Sequence, residues 1–87
     1  KWGDFLNRYF VKMNTHNDNI TYDWYVNDEL LASGLNYVEI CSRMSSALAK
    51  LEDIGFISHY QTLDLYDDPV AFNEFMESIL RGGRSED

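Results

Sequence analysis

Apolar residues recur at helical spacing at the start of the chain. The apolar positions are Trp2, Phe5, Leu6, Tyr9, Phe10 and Met13. Alternating long and short steps of this kind are typical of the buried face of an amphipathic helix. The spacing therefore predicts a helix over 2–13. A wholly polar stretch over 14–19 then predicts a loop.

The segment after this loop combines two patterns. Apolar and aromatic residues alternate over 20–24, as in a short strand, whereas those at positions 26, 30 and 31 are spaced as in a helix. We predict an extended piece over Ile20–Tyr22 and a helix from about Asp23 to Ala32. Gly34 is expected to end that helix, because glycine readily adopts the left-handed conformation found just after a helix C terminus.

A third helix is predicted over Tyr37–Asp53. Asn36 can cap its N terminus, and Glu39 stands three residues later, as in a capping box. Its apolar positions are Val38, Ile40, Cys41, Met44, Ala47, Leu48 and Leu51. Gly55 is expected to end the helix region and to let the chain reverse direction.

The last part of the chain predicts strand followed by helix. Residues 56–66 are rich in aromatic and β-branched types and predict one or two short strands. Asp68 can cap a final helix, and Pro69 suits its first position. The apolar stripe of this helix comprises Phe72, Phe75, Met76, Ile79 and Leu80, and Gly82-Gly83 is expected to end it.

Residues 43–57 resemble part of a winged helix-turn-helix protein. In that superfamily the third helix ends in a motif similar to Leu51-Glu52-Asp53-Ile54-Gly55-Phe56-Ile57, and the chain then enters the wing. The resemblance implies a mainly α fold with a small β component, in which a winged-helix-like three-helix core carries a C-terminal helix. A four-helix bundle is the alternative. We expect a single helical domain over 1–83 and a disordered tail over 84–87.

The charge of the chain favours a protein partner over nucleic acid. The chain of 87 residues has 15 acidic and seven basic side chains, a net charge of −8. Binding to a phosphate backbone draws on clustered Lys and Arg. In the predicted third helix, Arg43 and Lys50 are outnumbered by Glu39, Glu52 and Asp53. Direct nucleic-acid binding is therefore disfavoured, and a protein with a basic surface is the expected partner.

Residue types associated with catalysis or metal binding are few and scattered. His16 and His59 are far apart, and Cys41 falls within an apolar helical stripe. No metal-ligand spacing and no catalytic constellation is evident, so we predict a non-enzymatic protein without a cofactor. One cysteine excludes an internal disulfide and suggests an intracellular setting, the cytoplasm or nucleus. No apolar run is long enough to cross a membrane.

Three functional hypotheses follow. The first is a protein-interaction domain within a larger assembly that handles nucleic acid. The second is a small acidic inhibitor that mimics DNA charge against a nucleic-acid enzyme, and the third is a DNA-binding winged helix. The candidate partner-binding residues, chosen for aromatic or cationic character, are Trp24, Tyr25, Arg43, Phe72, Phe75 and Met76.

Overall fold

The fold is an antiparallel sheet followed by helices. The computed structural model describes residues 7–80. Its elements are β1 (Tyr9–His16), β2 (Asn19–Val26), β3 (Glu29–Leu35), α1 (Tyr37–Asp53), α2 (His59–Leu65) and α3 (Pro69–Leu80). The expectation of a mainly α fold is therefore wrong, both as a winged-helix-like core and as a four-helix bundle.

Two tight hairpins build the three-stranded sheet in the order β1-β2-β3. The first turn contains Asn17, with φ of 58°, and the second contains Asn27 and Asp28, with φ of 53° and 69°. Asn and Asp tolerate the left-handed region better than other residues with a side chain, which is why they suit two-residue hairpin turns. The polar stretch predicted as a long loop thus reduces to one turn, and its flanks belong to strands.

The predicted first helix is wrong where the structure describes it. Tyr9 and Val11 are buried beneath the helices, whereas Phe10 and Lys12, which alternate with them along the strand, are exposed. This alternation is the two-residue period of a strand with one buried face. The apolar residues at 9, 10 and 13 fit a helical stripe equally well, which explains the error. Residues 2–6 of the predicted helix lie outside the described residues.

The predicted helix over Asp23–Ala32 is also wrong, because this segment holds the end of β2, a turn and most of β3. The register between the two strands shifts twice. Gly34 lies within β3 with φ of +68° rather than at the end of a helix. Its N–H donates to the Asp23 carboxylate at 3.2 Å. Glycine permits the irregular backbone that accompanies such a shift.

The prediction of α1 is confirmed in both bounds and capping. The Asn36 side chain accepts from the Glu39 N–H at 2.8 Å, and the Glu39 carboxylate accepts from the Asn36 N–H at 2.9 Å. The helix covers Tyr37–Asp53. Gly55, with φ of +81°, reverses the chain after it, as expected.

The predicted strands over 56–66 are wrong, since this segment contains α2. Its N terminus carries a second capping box. The Ser58 hydroxyl accepts from the Gln61 N–H at 3.2 Å, and the Gln61 side chain accepts from the Ser58 N–H at 3.0 Å. Local capping therefore outweighs the β propensity of the aromatic residues.

The prediction of α3 is confirmed at its start. The Asp68 carboxylate accepts from the Ala71 N–H at 3.1 Å, and Pro69 is the first helical residue. The expected stop at Gly82-Gly83 and the expected tail over 84–87 lie outside the described residues.

One face of the sheet and the helices enclose a single core. The buried hydrophobic residues of this core, among those described, are Tyr9, Val11, Tyr22, Trp24, Ile40, Met44, Ala47, Leu48, Leu51, Ile57, Phe72, Met76 and Ile79. Aromatic contacts cross the layers, since the Trp24 ring stacks on Tyr9 at 5.5 Å and tilts against Phe72 at 6.0 Å. Because this face is covered, the accessible surfaces of residues 7–80 are the opposite face of the sheet and the outer sides of the helices, including the rim of α1.

Candidate interaction surfaces

The six predicted partner-binding residues separate into core and surface. Trp24, Phe72 and Met76 are 4%, 0% and 4% exposed and contact other core residues. Phe75 is half-buried against the same core. Tyr25 lies on the open face of the sheet, and Arg43 lies on α1 beside a groove. The fold therefore does not bring the six together into one site.

A row of large apolar side chains crosses the open face of the sheet. Phe10, Tyr25 and Leu30 are neighbours in register on β1, β2 and β3. Phe10 and Leu30 are 48% and 49% exposed. The rings of Phe10 and Tyr25 meet edge to face with centroids 6.2 Å apart. These three residues are called the outer row below.

Polar residues continue the open face beyond the outer row. Lys12 faces Asp23 across β1 and β2, and Asn14 faces Thr21 further along. Opposite charges directly across two strands attract each other weakly at an exposed position. The outer row is therefore an apolar strip bordered by a polar surface, the usual layout of a contact patch.

A groove of about 340 Å³ lies between α1 and the sheet, at the sheet end that holds the second hairpin turn. Its lining residues are Asn7, Tyr9, Trp24, Val26, Leu31, Arg43, Ser46, Ala47 and Lys50. We call it the charged groove. Its apolar part is accessible, because Leu31 is 55% exposed.

The irregular pairing of β3 places Leu31 at the charged groove. Leu30 pairs with Tyr25 and Ala32 pairs with Trp24, so Leu31 between them is an extra residue without a partner on β2. Such a bulge redirects the side chains around it. Two adjacent leucines thereby serve different surfaces, with Leu30 in the outer row and Leu31 at the groove.

The cations of the charged groove have no ion-pair partner within residues 7–80. Arg43 and Lys50 are both exposed, and no carboxylate of these residues lies within salt-bridge distance of either. Glu39, one turn before Arg43, is instead held by Asn36 at the helix cap. In the same part of the chain, Arg8 is paired with Asp28 at 2.9 Å. Arg43 and Lys50 therefore remain available to an incoming anion.

A tyrosine at the other end of α1 has a perturbed pKa. The Tyr37 hydroxyl donates to the Asp67 backbone carbonyl at 2.6 Å. The neighbouring Cys41 side chain is the main cause that raises the pKa of Tyr37 above 10.0, and desolvation and the charge of Asp67 act in the same direction. This cluster stabilises the neutral phenol and ties α1 to the turn before α3.

The two histidines take separate places. His16 is the exposed last residue of β1. His59 begins α2, and its Nδ1 lies 3.4 Å from a carboxylate oxygen of Glu52 on α1. The other Glu52 oxygen accepts from the Thr62 hydroxyl at 3.2 Å. Glu52 thus joins α1 to α2 and has a structural role.

Sequence reasoning missed Phe10, Leu30 and Lys50 as surface residues of interest. The predicted helices place Phe10 and Leu30 on buried apolar stripes. In the observed strands, side chains alternate between the two faces, and both residues lie on the open face of the sheet. A correct signal was present in the pairs Asn17-Asp18 and Asn27-Asp28, which separate alternating segments of similar length. The position of Lys50 seven residues after Arg43 also places both on one side of a helix.

Comparison of the chain with protein-family models, curated proteins and solved structures found no match. Among the residues that the structure describes, no helix is long and apolar enough to cross a membrane. The same residues contain no group of three or more His, Cys, Asp or Glu side chains placed to hold a metal ion. Within residues 7–80, the outer row and the charged groove are two features suited to binding.

Proposed function

We propose that this protein is a non-catalytic protein-interaction domain that contacts its partner through the outer row. The observation that carries the proposal is the alignment of Phe10, Tyr25 and Leu30 across three strands, on the sheet face that the described helices leave open. We also propose that the domain works inside the cell, in the cytoplasm or nucleus, as a module of a larger assembly that handles nucleic acid. The lone Cys41 is consistent with that setting.

The outer row is not needed for the core, because helices already cover the other face of the sheet. Covering Phe10 and Leu30, each about half exposed, would remove further apolar surface from water. Aromatic side chains at the centre of a patch contribute a large share of binding energy. The edge-to-face contact between Phe10 and Tyr25 also holds both rings in place before a partner arrives.

The charge of the helical layer supports a partner with a basic surface. Residues 36–80 contain eight acidic side chains and two basic ones, a net of −6. The acidic residues are Glu39, Glu52, Asp53, Asp64, Asp67, Asp68, Glu74 and Glu77. A field of one sign attracts oppositely charged surfaces and speeds encounter. In this proposal the acids guide the partner and the outer row holds it.

The test is affinity capture from the source cell with identification by mass spectrometry. Wild type is compared with Tyr25→Ala and with the matched control Tyr60→Ala, which removes a tyrosine that is 80% exposed on α2. We expect a set of proteins recovered by wild type and by Tyr60→Ala but lost with Tyr25→Ala. Circular dichroism checks that all three proteins are folded. Recovery that is equal for all three would reject the outer row as the contact surface.

A second candidate function, an acidic inhibitor that mimics DNA, is favoured by the exposure of the acids. Seven of the eight acidic residues over 36–80 are exposed, and only Glu52 is partly covered. A DNA mimic competes with duplex DNA for its target, so adding DNA would release the captured protein. A partner held through Tyr25 would instead stay bound when DNA is added and be lost on Tyr25→Ala.

A further inference from the structure

We propose that the charged groove binds an acidic segment of a protein partner, with a bulky apolar side chain of that segment placed against Leu31. The inference rests on the proposed function as an interaction domain, and it names a second contact and its chemistry. It concerns a surface separate from the outer row, since Tyr25 does not line the groove.

The charged groove is basic, although the chain as a whole is acidic. The chain has more than twice as many acidic as basic residues, yet among residues 7–80 two bases and no acid line the groove. Because residues 7–80 hold 12 acids and four bases, a net of −8, and the groove holds two of the bases, the rest of residues 7–80 carries −10. A basic recess within an acidic surface attracts a local acidic segment. It repels basic surfaces, although these are complementary to the rest of the molecule.

The apolar part of the charged groove can bury an apolar side chain of a ligand, which an inorganic anion does not have. Val26, Leu31 and Ala47 line it together with the cations. Burial of one Leu or Phe side chain between them would add to the attraction of the two charges, and exposed ion pairs alone are weak. A peptide with an apolar residue between two carboxylates combines both contributions.

The helix geometry sets the spacing of those carboxylates. Arg43 and Lys50 are seven residues apart on α1, which places them about 10 Å apart along the helix axis. Residues three apart in an extended polyproline-like segment lie on the same side and are separated by about 9 Å. Two acidic residues with two residues between them therefore reach both cations at once.

A peptide fits this surface better than a nucleic acid does. Binding to a phosphate backbone requires many cations, and the charged groove supplies two. Its aromatic residues, Tyr9 and Trp24, are 7% and 4% exposed and stack on each other. Their faces are thus not open for base stacking, which single-stranded nucleic acids use.

The experiment titrates the protein with the synthetic peptide Gly-Ser-Glu-Leu-Ala-Glu-Ser-Gly and follows backbone amide shifts by NMR. The control peptide has both Glu replaced by Gln. Arg43→Glu and Lys50→Glu test the groove. Lys12→Glu is the matched control variant, because Lys12 is exposed on the open sheet face and the substitution changes the net charge equally.

We expect shifts centred on the groove, at Leu31 and Ser46, and a dissociation constant of about 0.1–1 mM for wild type. Each groove variant should weaken binding by about fivefold or more, and Lys12→Glu by less than about twofold. The Gln peptide should bind at least about fivefold more weakly than the Glu peptide.

Three results would overturn the inference: no shifts with the Glu peptide, equal binding of the Glu and Gln peptides, or equal loss of binding in Lys12→Glu and the groove variants. Tighter binding of an oligothymidylate than of the Glu peptide would overturn it in favour of nucleic acid. None of these results bears on capture that depends on Tyr25, so failure here is distinguishable from failure of the proposed function.

Discussion

Asn73 of α3 forms two hydrogen bonds with the backbone of one edge-strand residue. Its Oδ1 accepts from the Val11 N–H at 2.9 Å, and its Nδ2 donates to the Val11 carbonyl at 2.8 Å. The amide therefore acts as a short substitute for a neighbouring strand, and it fixes α3 against β1. An unpaired edge strand is open to association with other chains, so this side chain both fastens the layers and covers part of the edge.

Replacement of Asn73 by Ala should lower the free energy of unfolding by about 1–3 kcal/mol, because the partly buried polar groups of Val11 lose their partners. Chemical denaturation followed by fluorescence measures the loss. Ser78→Ala, at an exposed position of the same helix, is the control and should change the free energy by less than about 0.5 kcal/mol. Equal effects of the two substitutions would contradict this role of Asn73.

Tyr37 should make the stability sensitive to alkaline pH. Because its pKa is raised in the folded protein above 10.0, the unfolded chain releases the phenol proton at a lower pH than the folded chain does. The stabilisation is complete below about pH 10 and is lost as the pH rises through the folded-state value. Wild type should be more stable than Tyr37→Phe at about pH 8.5, and the difference should shrink above about pH 10.

Thermal unfolding of both proteins across this pH range measures the effect. Tyr60→Phe is the control, because the exposed Tyr60 hydroxyl has no hydrogen bond within the described residues. It removes an exposed tyrosine hydroxyl without the Tyr37 contacts, and the pH dependence of Tyr37→Phe is compared with it. A difference between wild type and Tyr37→Phe that stays constant or widens at high pH would contradict the expected sign.

At the scale of elements, α1 and α2 have similar caps and different burial. Both begin with a capping box, formed by Asn36 and Glu39 in α1 and by Ser58 and Gln61 in α2. α1 buries five residues in the core, whereas α2 buries none completely. The cap and the contacts with Glu52 therefore contribute a larger share of the stability of α2 than the cap of α1 does for α1. We expect α2 to unfold locally, without unfolding of the whole domain.

Removal of the two caps should therefore have different consequences. Ser58→Ala should speed hydrogen exchange in α2 by about fivefold and leave the protection of α1 unchanged, since a cap contributes about 1 kcal/mol. Asn36→Ala should lower the free energy of global unfolding by about 1 kcal/mol. Native-state hydrogen exchange by mass spectrometry distinguishes the two cases. An equal loss of protection in both helices after Ser58→Ala would show that α2 unfolds only with the whole domain.

At the scale of the whole molecule, the layers differ in charge. Residues 7–35, which form the sheet, hold four acids and two bases, a net of −2. The helical layer over 36–80 carries −6 and contains the charged groove. The acids repel one another across a small surface, which destabilises the compact state at low ionic strength.

Added salt should raise the melting temperature, because screening weakens this repulsion. The double variant Asp64→Lys and Glu74→Lys changes the net charge from −8 to −4, since each reversal adds two, and both positions are exposed. Its melting temperature should depend less on sodium chloride between about 0.02 and 0.3 M. Scanning calorimetry at both concentrations makes the comparison. A salt dependence as steep as that of wild type would argue against self-repulsion.

The helices that the sequence predicts correctly are those with a clear capping signal at their N terminus. α1 has Asn36 and Glu39 at its start and Gly55 after it, and α3 has Asp68 and Pro69. The capping box of α2 is an equally local signal, but the β propensity of residues 56–66 favours a strand there. The extended piece predicted over Ile20–Tyr22 lies within β2. The rest of the sheet is not predicted, because aromatic residues occupy both of its faces and weaken the alternation that identifies a half-buried strand.

The sequence by itself determined the helix caps, the turn residues, the net charge and the set of apolar residues available to form the core. These depend on contacts within a few residues of one another or on the whole count of residues. Only the tertiary structure decided that Trp24, Phe72 and Met76 are core and that Tyr25 is on an open face, because burial depends on which layers pack together. The charged groove likewise exists only where α1 crosses the end of the sheet, since Arg43 and Lys50 acquire their apolar neighbours from strands distant in sequence.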